Sequence, residues 1–214
     1  MTEVPDWLAD LAAAAQSITV PTIHRPPPSG GRPSAVLVLF GEGPGGPDLL
    51  FIQRSAELRR HPGQPAFPGG ALEADEIADQ EGGWVAAALR EAREEVGVDP
   101  DGVRVLATLP EMFIPPSNFL VVPVLAWWQV PSAVWPADAG EVAAVERIAV
   151  ADLVNPSHRL MLRMPGGRIS PAFRIGSMLI WGFTAGLTSL LLELGGWAMP
   201  WDSSQIREMP EGAA

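Results

Sequence analysis

The segment "REAREEVG", Arg90 to Gly97, crowds Glu91, Glu94 and Glu95 into the last turns of a helix. Residues 84–96 read as that helix, and Gly97 as the residue that stops it. Glu91 with Glu94, and Glu91 with Glu95, are i,i+3 and i,i+4 pairs, so they share one face. The three carboxylates repel one another, and the negative end of the helix dipole opposes them. Arg90, four residues before Glu94, relieves part of this. A hard divalent cation relieves more, because Mg²⁺ takes carboxylate oxygens together with substrate phosphates. The competing reading is a solvated helix face with ordinary i,i+4 ion pairs.

The residues upstream weigh against that plainer reading. Gly69-Gly70 follows Phe67-Pro68 and ends an irregular loop rich in Arg, Pro and Gly. Glycines there allow backbone to approach a ligand or another strand closely. Glu76 follows Gly70 after five residues.

The rest of the chain bounds the fold. Its 214 residues suit one large domain, or a domain with extensions. With 47% hydrophobic and 18% charged residues, it reads as globular. A net charge of −11 disfavours a nucleic-acid partner, which needs clustered cations. Cysteine is absent, which excludes disulfide and thiol chemistry. All 14 cations are arginines, so a catalytic lysine is excluded too. The first residues carry Glu3, Asp6 and Asp10 and no basic residue, unlike a signal peptide, so a cytoplasmic location is expected. The longest uncharged run, Ile175 to Leu192, approaches a membrane span in length. Its glycines, serines and threonines favour a buried or partner-facing helix instead, and no membrane partner is expected.

Along the chain, residues 5–17 read as an amphipathic helix with Trp7, Leu8 and Leu11 on one side. His24 to Pro33 is a Pro/Gly loop. Ala35–Phe40 and "LLFIQR" form a hairpin, and Val103–Leu109 and Phe119–Trp128 are further strands. A strand and a short helix follow Glu141, then a hairpin in "RMPGGRISPAFRI", then an apolar helix over 177–194. The tail from Pro200 is expected to be loose. The division predicted is residues 1–33 as helix and loop, 34–200 as the main domain, and 201–214 as tail. Mixed strands and helices indicate a layered α/β or α+β domain.

Gly70, five residues, Glu76, a spacer, then Arg90-Glu91-Ala92-x-Glu94-Glu95-x-Gly97-Val98 resembles the Nudix box. That pattern is G-x5-E-x7-R-E-U-x-E-E-x-G-U, with U apolar, and every fixed position is present. One departure stands out: 13 residues, Ile77 to Leu89, separate Glu76 from Arg90 where the family has seven. Either Glu76 keeps its place or Glu81 takes it.

The resemblance implies a Nudix-type α/β/α sandwich with a mixed β-sheet. It implies Mg²⁺- or Mn²⁺-dependent hydrolysis of a nucleoside diphosphate linked to another group. Glu91, Glu94 and Glu95 are the expected metal ligands, with Arg90 orienting one of them. The general base is left open among Glu91, Glu111 and Glu141. Phe51 to Gly70 also resembles the signature of the coenzyme A pyrophosphatase branch, through Arg54, Ser55, Leu58, Arg59, His61, Gly63 and "FPGG"; Gln53 and Pro65 depart from it. Arg54, Arg59 and Arg60 suit bidentate bonds to phosphate, and Gly69 and Gly70 suit close backbone approach. His61 is read either as part of that site or as a structural residue. The implied products from coenzyme A are 3′,5′-ADP and 4′-phosphopantetheine. ADP-ribose, a dinucleotide or a damaged nucleotide are alternative substrates, and a ligand-binding protein without turnover is a further reading. The expected partner is a small-molecule diphosphate, with a homodimer left open.

Overall fold

A computed structural model describes residues 3–18, 30–58, 61–79 and 82–210. Most of the loop predicted from His24, together with Arg59, Arg60 and Glu81, lies outside the described residues.

The central strands explain the architecture. Strand β1 (Arg32–Gly43) alternates its side chains between two cores. Ala35, Leu37 and Leu39 join Ala87, Ala88, Ala92 and Val96 of helix α3 (Gly83–Val96) on one face. Val38 and Phe40 join Leu8 and Leu11 of helix α1 (Asp6–Ala15), and Leu187 and Leu191 of helix α5 (Gly182–Leu194), on the other. Strands β2 (Gly46–Arg54) and β7 (Phe119–Trp128) divide in the same way. Burial on both faces accounts for their nearly unbroken apolar runs.

The result is an α/β/α sandwich. Its large sheet runs β3-β2-β1-β7-β5, with β3 at Pro65–Ala66 and β5 at Val103–Thr108. Strand β4 (Gly69–Ala71) adds to β1, β6 (Met112–Ile114) to β7, and β8 (Val142–Ala149) to β2. The β1–β7 pairing is parallel and the other pairings in this sheet are antiparallel, so the sheet is mixed. Short helices α2 (Ala74–Ala78) and α4 (Val150–Val154) fill connections.

A second sheet has the order β11-β10-β9-β12. Its strands are β9 (Arg159–Arg163), β10 (Ile169–Ile175), β11 (Met178–Ile180) and β12 (Ile206–Glu208). Three local readings change here. The apolar run after Ile175 is not one helix from 177: Gly176, at φ 57°, turns the chain so that Met178 pairs back with Ile175. The helix starts only at Gly182, after the extended Trp181. Part of the tail predicted to be loose forms β12, parallel to β9. Strand β1 also begins earlier than Ala35, because Arg32 to Ser34 pair with Phe119 to Val121. Among the described residues, no helix is long and apolar enough to cross a membrane.

Candidate active site at the end of the box helix

Helix α3 stops where the sequence says it should. Gly97 takes a left-handed φ of 72°, its N–H bonds to Arg93 O, and Val98 N–H reaches back to Ala92 O at 3.3 Å. This capping pattern fixes the last turn and therefore the heading of Glu91 and Glu95. The sandwich brings the Gly69-Gly70 segment onto that turn. Leu37 N–H donates to Pro68 O at 2.8 Å, and β4 pairs with Ser34 to Val36 of β1.

The glycines are steric requirements. A Cβ on Gly70 would fall 2.4–2.7 Å from the carboxylate atoms of Glu91. A Cβ on Gly69 would fall 2.3 Å from Ala35 O and 2.7 Å from Val36 Cα. Gly69 N–H donates to Glu95 Oε2 at 2.9 Å, which ties the loop to the helix.

Glu95 is 2% exposed, yet its nearest cation, Arg54 Nη1, stands 3.6 Å away. Burial raises its pKa to about 8; the Gly69 bond and Arg54 oppose this, and the charges of Glu91 and Glu141 add to it. Glu91 is raised in the same direction by burial, against Arg90 and with Glu94 and Glu141. Glu94 is exposed.

Arg90 organises the acids. Its Nε and Nη2 donate to Glu76 at 2.8 and 3.0 Å, and Nη1 to Glu91 at 2.9 Å and Glu94 at 3.2 Å. Nη2 also donates to Ala71 O at 3.1 Å. Glu76 is therefore not displaced by the longer spacer, and the Arg90 bond holds its pKa below the usual carboxylate value. After α2, Asp79 accepts from Gly82 N–H through its carboxylate and from Gly83 N–H through its carbonyl. Gly83 permits a tight crossing, since a Cβ there would meet Glu76 O at 1.9 Å. Glu76 has a second task as well: with Glu73 it closes a capping box on α2, Glu73 N–H donating to it at 2.7 Å.

The other predicted residues divide. Arg54, at the end of β2, is in the site. Glu141 lies close enough for its charge to act on both Glu91 and Glu95, and its carbonyl accepts from Ser55 N–H at 2.7 Å. Glu111 precedes Met112, and the register Met112–Val121–Ser34–Ala71 puts two strands between it and the box loop. His61 turns its loop at φ 55°, with Nδ1 2.8 Å from Gln64 Oε1, as a structural histidine would.

A divalent cation suits the donor chemistry here: hard carboxylate oxygens, those of Glu91 and Glu95 largely withdrawn from solvent and those of Glu94 exposed, that repel one another and pull on too few cations. Among the described residues, no three acidic or histidine side chains already converge on one point; Arg90 bonds both Glu91 and Glu94 instead.

This glycine loop, glutamate helix and mixed-sheet sandwich are those of one family. The NUDIX domain family matches residues 31–172, and the chain belongs to it. The protein named uncharacterized Nudix hydrolase NudL of Cronobacter sakazakii is 37% identical over 169 residues, 77% of this chain and 83% of that protein. Its namesake in Shigella flexneri is 34% identical over 189 residues, 82% and 88% of the two chains. The Nudix hydrolase structure from Alicyclobacillus acidocaldarius shares the fold at a TM-score of 0.50 and 16% identity, covering 78% of this chain and 93% of that one.

The raised pKa of Glu95 has a consequence for stability without metal. The folded protein keeps that proton to a higher pH than the unfolded chain does. Stability from this group is therefore complete below the ordinary glutamate pKa and is lost as pH rises through about 8. Glu91 acts in the same sense. In chelator, the melting temperature of wild type should fall between pH 5 and pH 8.5, and Glu95→Gln should flatten the fall. Equal slopes for the two proteins would remove Glu95 as its source.

Proposed function

We propose that this chain is a metal-dependent pyrophosphohydrolase of the Nudix family that acts on coenzyme A or its derivatives. The observation that supports this most directly is the junction at Glu95. There the "FPGG" loop, the box helix and Arg54, from the coenzyme A-type signature, meet in one contact set.

Glu91, Glu94 and Glu95 would hold Mg²⁺ or Mn²⁺, which activates a water and neutralises phosphate charge. Arg90 holds Glu91 and Glu94 in place through its Nη1. Gly69 and Gly70 bring the loop backbone against the acids, where a diphosphate can reach both. Arg54 then faces the substrate's phosphates as well as Glu95. Glu141 is the better placed of the two outlying candidates for a general base, since its charge is felt at the box acids and Glu111 stands two strands away. The cytoplasm, with its coenzyme A pool, is the fitting location.

A substrate panel with Mg²⁺ and with Mn²⁺ tests the reading. Coenzyme A should be turned over, and excess chelator should abolish turnover. Full activity in chelator would overturn the metal role. A wide preference for ADP-ribose or a dinucleotide would overturn the branch assignment and keep the hydrolase. Tight binding without hydrolysis under any metal would point to a non-catalytic protein.

The arginines should separate by substrate. Arg54 touches Glu95, so Arg54→Ala should slow coenzyme A and dephospho-coenzyme A alike. A 3′-phosphate contact from Arg59 or Arg60 would be worth about 10- to 150-fold, the range for one bond to a charged group. Substituting the responsible residue should erase the preference for coenzyme A and spare the dephospho form. Equal loss on both substrates for Arg59→Ala and Arg60→Ala would show that neither reads the 3′-phosphate.

A further inference from the structure

Away from the box, Arg159, Arg174 and Arg207 line one cavity of about 150 Å³, with Ser157, Gln205 and Asp202. That volume admits a phosphate-sized anion with a few waters. Arg159 opens β9 and is 8% exposed. Its guanidinium lies over the rings of Phe173 and Trp201, 5.0 and 4.8 Å from their centroids. Its Nη2 donates to Ser189 Oγ of α5 at 3.1 Å, and its buried Nε has no hydrogen-bond partner.

Charge completes the picture. Among the described residues, no carboxylate forms an ion pair with any of these three arginines. Asp202 is the acid in the lining, and its oxygens already accept from Ser204 N–H and Oγ–H and from Gln205 Nε2. Glu193 reaches Arg159 only as a longer-range charge. A buried cation that lacks a counter-charge is unfavourable, and in a chain of net charge −11 its isolation is a selective arrangement. The family match ends at residue 172, so Arg174, Asp202, Gln205 and Arg207 lie beyond it.

We infer that this cavity is an anion site that takes a phosphate group, free or as a phosphomonoester. The stacked guanidinium of Arg159 supplies a fixed positive charge in the cavity wall, and Arg174 and Arg207 supply further charge at the rim. The site is separate from hydrolysis and does not depend on the substrate assigned to the box.

Calorimetry in chelator tests it, because the box then holds no cation to recruit phosphate. Inorganic phosphate and glycerol 3-phosphate are titrated into wild type, Arg174→Gln/Arg207→Gln and Arg54→Gln. Arg174 and Arg207 are exposed, so the double variant should keep the wild-type melting temperature. At least one ligand should bind wild type and Arg54→Gln equally, and the double variant about 10-fold or more weakly. Tighter inorganic phosphate would mark a free-ion site, and tighter glycerol 3-phosphate a site for a phosphorylated metabolite. No binding of either at millimolar concentration, or equal binding by the double variant, would overturn the proposal.

Discussion

Glu95→Gln is expected to lower kcat by about 10²- to 10⁴-fold, the range for losing a positioned catalytic group, and to leave the fold intact. The substitution keeps the shape of the side chain and an oxygen to accept from Gly69 N–H. It removes a charge that burial already disfavours and that Glu91 and Glu141 repel. The melting temperature in chelator should therefore hold or rise at pH 8. Glu94→Gln should lose activity within the same range, although Glu94 is exposed and pairs only with Arg90 among the contacts described. Steady-state kinetics and thermal melts on the same preparations decide the matter. A large loss of stability in chelator for Glu95→Gln would show that the carboxylate is structural.

The second large effect separates the neighbouring glycines. Gly69→Ala should destabilise the protein by about 3 kcal/mol, because its Cβ meets the backbone of β1, which lies in the core and cannot yield. For a chain of this size that is a fall in melting temperature of about 6–12 °C. Gly70→Ala meets only the end of the Glu91 side chain, which can swing away. Its melting temperature should change little, while kcat falls as the displaced carboxylate leaves its position. Equal stability losses in the two variants would contradict this division between scaffold and site.

The sequence showed the site more clearly than the frame around it. The box positions from Arg90 to Gly97 sit close together in sequence, and their helix, its glycine stop and the crowding of charge are local properties. The central strands were legible because burial on both faces leaves continuous apolar runs such as Ala35 to Phe40. Glu76 was ambiguous because spacing alone does not say how a longer connection folds back; the crossing at Gly83 decides it. Strands β11 and β12 escaped notice because three-residue strands carry almost no periodicity, and β12 exists through pairing with β9, more than 40 residues earlier. Arg159, Arg174 and Arg207 are scattered in sequence, and only the second sheet brings them around one cavity.

The parallel pairing of β1 with β7 also bears on how the protein is made. Arg32 to Phe40 find their partners in Phe119 to Trp127, so one side of the central strand stays open until the later segment has been synthesised. Strand β4, and with it the glycine loop, hangs on that same central strand. A nascent chain that carries the complete box but ends before β7 therefore has the glutamates without a firm surface to set them against. Pairings this distant in sequence form slowly, because the intervening loop must close before any contact compensates. Catalytic competence should thus appear as a late event in folding, arriving with the sheet and not with the helix that bears the acids.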